Sequence, residues 1–112
     1  MITVRVKRRP DGAVSAVTID GHAGFADPGE DLVCAAVSGI SFGMMNAIEM
    51  LLQTPLPAHQ GKSGFLHCEV PDDYPEQSRE KMQLLLEGMI ASLQAVSLDY
   101  GEFIKVLDQN KK

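Results

Sequence analysis

Between Asp31 and Glu49 the chain carries no charged side chain. The run Leu32–Ile48 is short for a bilayer span, which takes about 20 apolar residues. It also contains Ser38, Gly39, Ser41, Gly43 and Asn46. A segment this apolar has to hide most of its circumference, so it reads as a largely buried helix at the centre of the fold. Asp31 stands at its head as N-cap, and Thr54-Pro55-Leu56-Pro57 stops it. Its small residues (Ala35, Ala36, Ser38, Gly39, Gly43 and Ala47) allow close approach by a sheet, another helix or a second subunit. Gly39-Ile-Ser41-Phe-Gly43 spells the G-x-S-x-G nucleophile elbow, but that elbow needs a strand ending at the serine. Inside a helix, the two glycines read as packing positions.

The rest of the chain is written mostly as strands. Ile2, Val4 and Val6 alternate with Thr3, Arg5 and Lys7, the period-two pattern of a strand covered on one face. Pro10-Asp11-Gly12 is a turn, and Val14–Asp20 is a second strand, so residues 1–20 read as a hairpin. The imperfect alternation at Ala13–Val17 suits a bulge. Gly21–Glu30 holds three glycines and a proline and reads as a loop. Ala58–Gly64 reads as a connecting loop and Phe65–Val70 as a third strand. A second helix starts near Pro75, which suits a first turn, and Met82, Leu85, Leu86, Met89, Leu93 and Val96 form its apolar stripe. Asp99-Tyr100-Gly101 closes it, Phe103–Leu107 is a fourth strand, and the polar tail Asp108–Lys112 frays. The order β-β-α-β-α-β predicts one α/β domain over residues 1–112: a two-layer sandwich, with two helices on one face of a four-stranded sheet.

Charge placement narrows the partners. The net charge is −5, yet all ten basic residues lie outside positions 10–61, a window holding Asp11, Asp20, Asp27, Glu30, Asp31 and Glu49. Nothing there neutralises phosphate, which argues against direct nucleic-acid binding. Two readings stay open: a solvated acidic surface, or a mouth for a basic partner. Met1–Arg9 alternates and lacks the continuous apolar region of a signal peptide. Two cysteines are too few for a disulfide scaffold and fit a reducing compartment, so a cytoplasmic protein without a membrane partner is expected. Cys34 and Cys68 stand alone, with no CxxC or HxxxH, so neither a metal nor another cofactor is expected.

The chemistry concentrates in Gly21-His22 and Asp31-Leu-Val-Cys34. With Asp31 as N-cap, Cys34 falls in the first helical turn, where the helix dipole favours a thiolate and free amides can hold an oxyanion. His22 leaves the end of a strand and can meet Cys34 as its base. The competing reading is that Cys34 is a small core hydrophobe among Leu32, Val33, Ala35 and Ala36, and His22 a hydrogen-bonded loop residue. Cys68 shares a strand face with Leu66 and Val70 and reads as core, while His67 and Glu69 point the other way.

Gly21-His22-Ala23, a variable loop, and then Asp31-Leu32-Val33-Cys34-Ala35-Ala36-Val37-Ser38 resemble the signature of the ribosomal-processing cysteine protease family, Prp. The resemblance runs over the whole chain, including its length and element order. It implies a cysteine endopeptidase that removes the N-terminal extension of a bacterial large-subunit ribosomal protein, after a hydrophobic, aromatic-containing motif. It further implies His22 as base, Cys34 as nucleophile, and a homodimer, which suits the small-residue face of the first helix. Asp31 and Ser38 match motif positions with supporting or substrate-contacting roles, as do Gly21 and Ala23 beside His22. The loop Gly21–Glu30 is placed to gate such a site. Two other classes compete: a non-catalytic ribosome-associated binding module, and a thiol enzyme of another kind, such as an acyl transferase or amidase.

Overall fold

The computed structural model describes residues 1–21, 28–61 and 66–108, and the backbone alone for residues 28–31. Among the described residues seven elements follow in order: β1 (Ile2–Arg8), β2 (Val14–Asp20), α1 (Pro28–Leu52), β3 (Ala58–Gln60), β4 (Leu66–Glu69), α2 (Glu76–Asp99) and β5 (Ile104–Asp108). The strands form one five-stranded sheet in the order β3-β4-β2-β1-β5. The sheet thus has one strand more than the sequence suggests. Ala58–Gln60 carries no apolar alternation because all three residues are exposed, and only its antiparallel pairing with β4 makes it a strand.

The hairpin β1–β2 forms as expected. Its register slips between Lys7 and Arg8, which face Ala16 and Val14, so Ser15 is the extra residue of a bulge. β5 lies parallel to β1 at the opposite edge, and Asp108 belongs to it rather than to a frayed tail. Arg8 holds it there: its guanidinium donates to both carboxylate oxygens of Asp108 at 2.7 and 2.8 Å, and to Glu87 of α2 at 2.5 and 2.9 Å. The two carboxylates raise the Arg8 pKa further, Asp108 more than Glu87.

The core lies between the sheet and the helices. Ile2, Val4, Val6, Val17, Ile19, Leu66, Cys68 and Ile104 meet Met82, Leu86, Met89, Ile90 and Leu93 of α2. α2 begins one residue later than expected, with Pro75 as its N-cap and no side-chain cap. Arg79 reaches back to the carbonyls of Asp72 and Tyr74.

α1 departs from the expectation of a largely buried helix. Val33, Val37, Ser41 and Ile48 enter the core, whereas Leu32, Met50 and Leu51 are 58, 77 and 68% exposed. A two-layer sandwich covers one side of a helix only, so an apolar sequence here cannot be hidden within one chain. The apolar helical stretch also continues past Glu49 to Leu52. Leu32–Leu52 is long and apolar enough, by length and composition, to cross a membrane, so length alone does not exclude a span.

Candidate active site

Cys34 lies in the second turn of α1, because the helix begins at Pro28 and not after Asp31. Proline suits a first helical position, where its missing N–H costs nothing. Asp31 is therefore a first-turn residue rather than the N-cap. This changes two arguments. The dipole fades beyond the first turn, and the amide of Cys34 belongs to the intrahelical ladder. Neither thiolate stabilisation by the helix end nor an oxyanion donor at the Cys34 backbone follows from this geometry.

The structure does distinguish the two thiols. Cys34 is half-buried, whereas Cys68 is 1% exposed. Burial pushes the Cys68 thiol up to about 11, with Glu69 adding to the shift and a hydrogen bond at Val17 opposing it. Cys68 is a core residue with almost no thiolate at neutral pH. Ser38 follows Cys34 by one turn on the same face and is half-buried. Ser41 is 2% exposed and donates to the Val37 carbonyl at 2.7 Å, which accounts for it as a helix-interior serine and not an elbow nucleophile. Gly39 and Gly43 are exposed, and a Cβ on either would meet nothing within 4 Å. Among the described residues, nothing of the chain packs on them.

Gly21 has a specific structural reason to be glycine. Its φ is +91°, and a Cβ there would run into the carbonyl of Met1. The chain turns off β2 at this residue, immediately before His22. Of the loop Gly21–Glu30 expected to gate the site, Pro28–Glu30 is instead the first turn of α1, while His22, Ala23 and the rest through residue 27 lie outside the described residues, as do the side chains of Asp31 and Glu30.

The other two histidines cannot take His22's part. His67 accepts or donates at Nδ1 with the Thr18 hydroxyl at 2.7 Å, and its Nε2 meets Glu69 at 3.1 Å. Both partners stand on the sheet face away from the helices. His59 is opposite His67 in the β3–β4 register and shares that face. The sheet separates all of them from Cys34. Among the described residues, no group of three or more His, Cys, Asp or Glu could hold a metal ion.

Two hollows among the described residues lie away from Cys34. One of about 480 Å³ opens between β1, β5 and Gln94 of α2, and another of about 510 Å³ runs along α2 beside Val106. Neither is lined by a thiol or a histidine. A smaller hollow of about 310 Å³ lies farther along α1, against β3. It was not legible in the sequence, because β3 has no pattern of its own.

Comparison with known proteins points one way. The family profile described as "Cysteine protease Prp" matches residues 1–105. The ribosomal processing cysteine protease Prp of Bacillus subtilis is 37% identical over 107 residues, which is 95% of this chain and 96% of the relative. The crystal structure of an essential ribosomal processing protease Prp from S. aureus in complex with a substrate peptide superposes with a TM-score of 0.85 at 32% identity, covering 97% of this chain and 100% of that one. The S. aureus protease with a covalently linked product peptide gives a TM-score of 0.83 at 33% identity, with the same coverage.

Proposed function

We infer the function from a fixed premise: the chain belongs to the cysteine protease Prp family. It is a cysteine protease. We propose that it removes the N-terminal extension of a large-subunit ribosomal protein, with Cys34 as nucleophile and His22 as base. The observation that carries the assignment is the contrast between the thiols. One is accessible on α1, within the sequence pattern that matches the family; the other is sealed in the core with its pKa near 11.

The chemistry is acyl transfer. His22 takes the proton from the Cys34 thiol, and the thiolate adds to the scissile carbonyl. The tetrahedral adduct collapses as the leaving amine takes that proton from the imidazolium. Water, giving its proton to His22, then cleaves the thioester and releases the new carboxylate and the free thiol. Because the Cys34 amide is tied into the helix, the oxyanion is held by donors outside that ladder. Ser38 offers a hydroxyl one turn away. Asp31 orients His22, Gly21 sets the backbone turn that presents it, and Ala23 supports the substrate beside it. No cofactor enters any step.

We place the protein in the cytoplasm, beside ribosome assembly, with neither nucleic acid nor membrane as a direct partner. It acts as a homodimer through the outer stripe of α1. Leu32, Ala35, Gly39, Gly43, Asn46 and Met50 follow one another at helical spacing and are all exposed, and the two glycines would let a second backbone approach closely. Analytical ultracentrifugation tests this: Gly43→Arg gives monomers, and a parent chain that is itself monomeric refutes it.

The decisive experiment is incubation with the precursor ribosomal protein and mass spectrometry of the product. Loss of the extension with the parent enzyme, and none with Cys34→Ala, is expected. Cleavage by neither would favour the binding module, a reading already disfavoured by the S. aureus relative with its covalently linked product peptide.

A further inference from the structure

We propose that the hollow between α1 and β3 is a second recognition site for the substrate peptide, which adds to the outer edge of β3, the outermost described strand on that side, as an extra strand. The inference rests on the protease reading, with Cys34 as nucleophile.

Three observations carry it. The first is position along α1. At 100° per residue, Cys34, Ser38, Met45 and Glu49 fall on one face, flanked by Phe42, and the last three of this group line the hollow. The helix rise sets Phe42 about 12 Å and Met45 about 16 Å from Cys34. An extended peptide advances about 3.3 Å per residue, so it reaches the hollow four or five residues from the scissile bond.

The second is the backbone at the sheet edge. β3 is an outermost strand and all its residues are exposed. Glu69 N–H donates to the Pro57 carbonyl at 3.1 Å, and β3 is antiparallel to β4 with His59 opposite His67. Antiparallel alternation then turns the N–H and C=O of Pro57's second neighbour, His59, toward β4, and those of Ala58 and Gln60 outward. Ala58 and Gln60 are also the two β3 residues that line the hollow.

The third is the lining. Phe42, Met45, Leu56 and Leu66 give an apolar floor, and Glu49 is the charged residue among the lining side chains. A strand docked here turns alternate side chains onto that floor. The occupant is therefore an extended peptide with apolar side chains at alternate positions and no carboxylate near Glu49.

The test uses two substrates spanning the cleaved bond of the ribosomal-protein precursor. One has two residues on each side of that bond and the other has eight. Gln60→Pro removes one outward N–H and is tolerated at an edge position, and Met45→Lys places a charge on the floor. Gln60→Pro should lower kcat/KM for the long peptide roughly tenfold, the worth of one backbone hydrogen bond, and Met45→Lys at least as much through the charge on the floor, both mainly through KM. Short-peptide cleavage and the Cys34 alkylation rate should stay at parent values. N-methylating the long peptide's amides one by one on the parent enzyme should give a loss four to seven residues from the cut, which keeps the test independent of variant folding. Parent-like long-peptide kinetics in both variants, with no sensitive amide, overturns the groove while leaving the nucleophile intact. Cleavage that survives Cys34→Ala overturns the nucleophile, and the reach along α1 counted from it.

Discussion

The two helices lie in one layer and are nearly equal in length, 25 and 24 residues, yet they are held in different ways. α2 is tethered by polar side chains as well as by packing. Glu87 pairs with Arg8, Gln83 bonds both backbone groups of Val14 at 2.9 Å, and Arg79 ties the helix start to the preceding turn. Between described residues, the side chains of α1 make no hydrogen bond to another element. α1 rests on Val33, Val37 and Ile48, with Ile40, Phe42, Met44 and Met45 partly buried beside them, and its outer stripe is exposed among the described residues. A helix fixed by packing on a single stripe keeps the rest of its surface for function. Cys34, Ser38 and the hollow by Met45 occupy one such stripe, and the exposed glycines occupy another.

The contrast predicts that α1 substitutions cost activity and α2 substitutions cost stability. The largest effect is expected for Cys34→Ala, which should lower kcat/KM by about three orders of magnitude or more while leaving the urea midpoint near that of the parent. Measurable turnover in that variant would break the comparison at its centre. Arg8→Met should come next, at about 3–5 kcal/mol of stability. It removes the guanidinium from Asp108, whose side chain is 5% exposed, and from Glu87 of α2. Denaturation of this variant should show the full loss with kcat unchanged at temperatures where it is folded.

Paired truncations sharpen the same point. Leu86→Ala on α2 should cost about 2–5 kcal/mol, and Met50→Ala on the open side of α1 less than about 0.5 kcal/mol. Equal costs would mean that α1 is covered in solution, and the dimer is then the first place to look. A smaller effect appears at high pH. The folded protein keeps the Cys68 proton up to about pH 11, whereas the unfolded chain releases it near 9. The associated stability, about 2–3 kcal/mol at most, is complete below pH 9 and is lost as pH rises through 11. Tyr74, raised by burial, acts in the same direction. Cys68→Ala should flatten that decline in urea titrations at pH 8 to 11. The smallest effect is electrostatic: Asp27→Asn with Glu30→Gln should slow cleavage of a basic peptide more at low salt than at high salt.

The sequence was informative wherever a residue's role depends on its near neighbours. The alternation of β1, the limits of β2, the stripe of α2 and the core placement of Cys68 were all readable from spacing. The start of α1 was misread because Asp31 is a good cap in isolation, while Pro28 is an equally good first residue three positions earlier. β3 was missed because its three residues have no buried face of their own. The Arg8–Asp108 pair was invisible because its partners are far apart in the chain and meet only when β5 docks beside β1.

Spacing and residue type alone determined the α/β class, the family motif and the pair of candidate thiols, since these depend on local periodicity and on residues close together in the chain. Only the tertiary structure decided which side of α1 is covered, which thiol is sealed, and which described strand ends the sheet beside α1. Those properties belong to surfaces that exist once distant segments have packed, and no local pattern encodes what will lie against them.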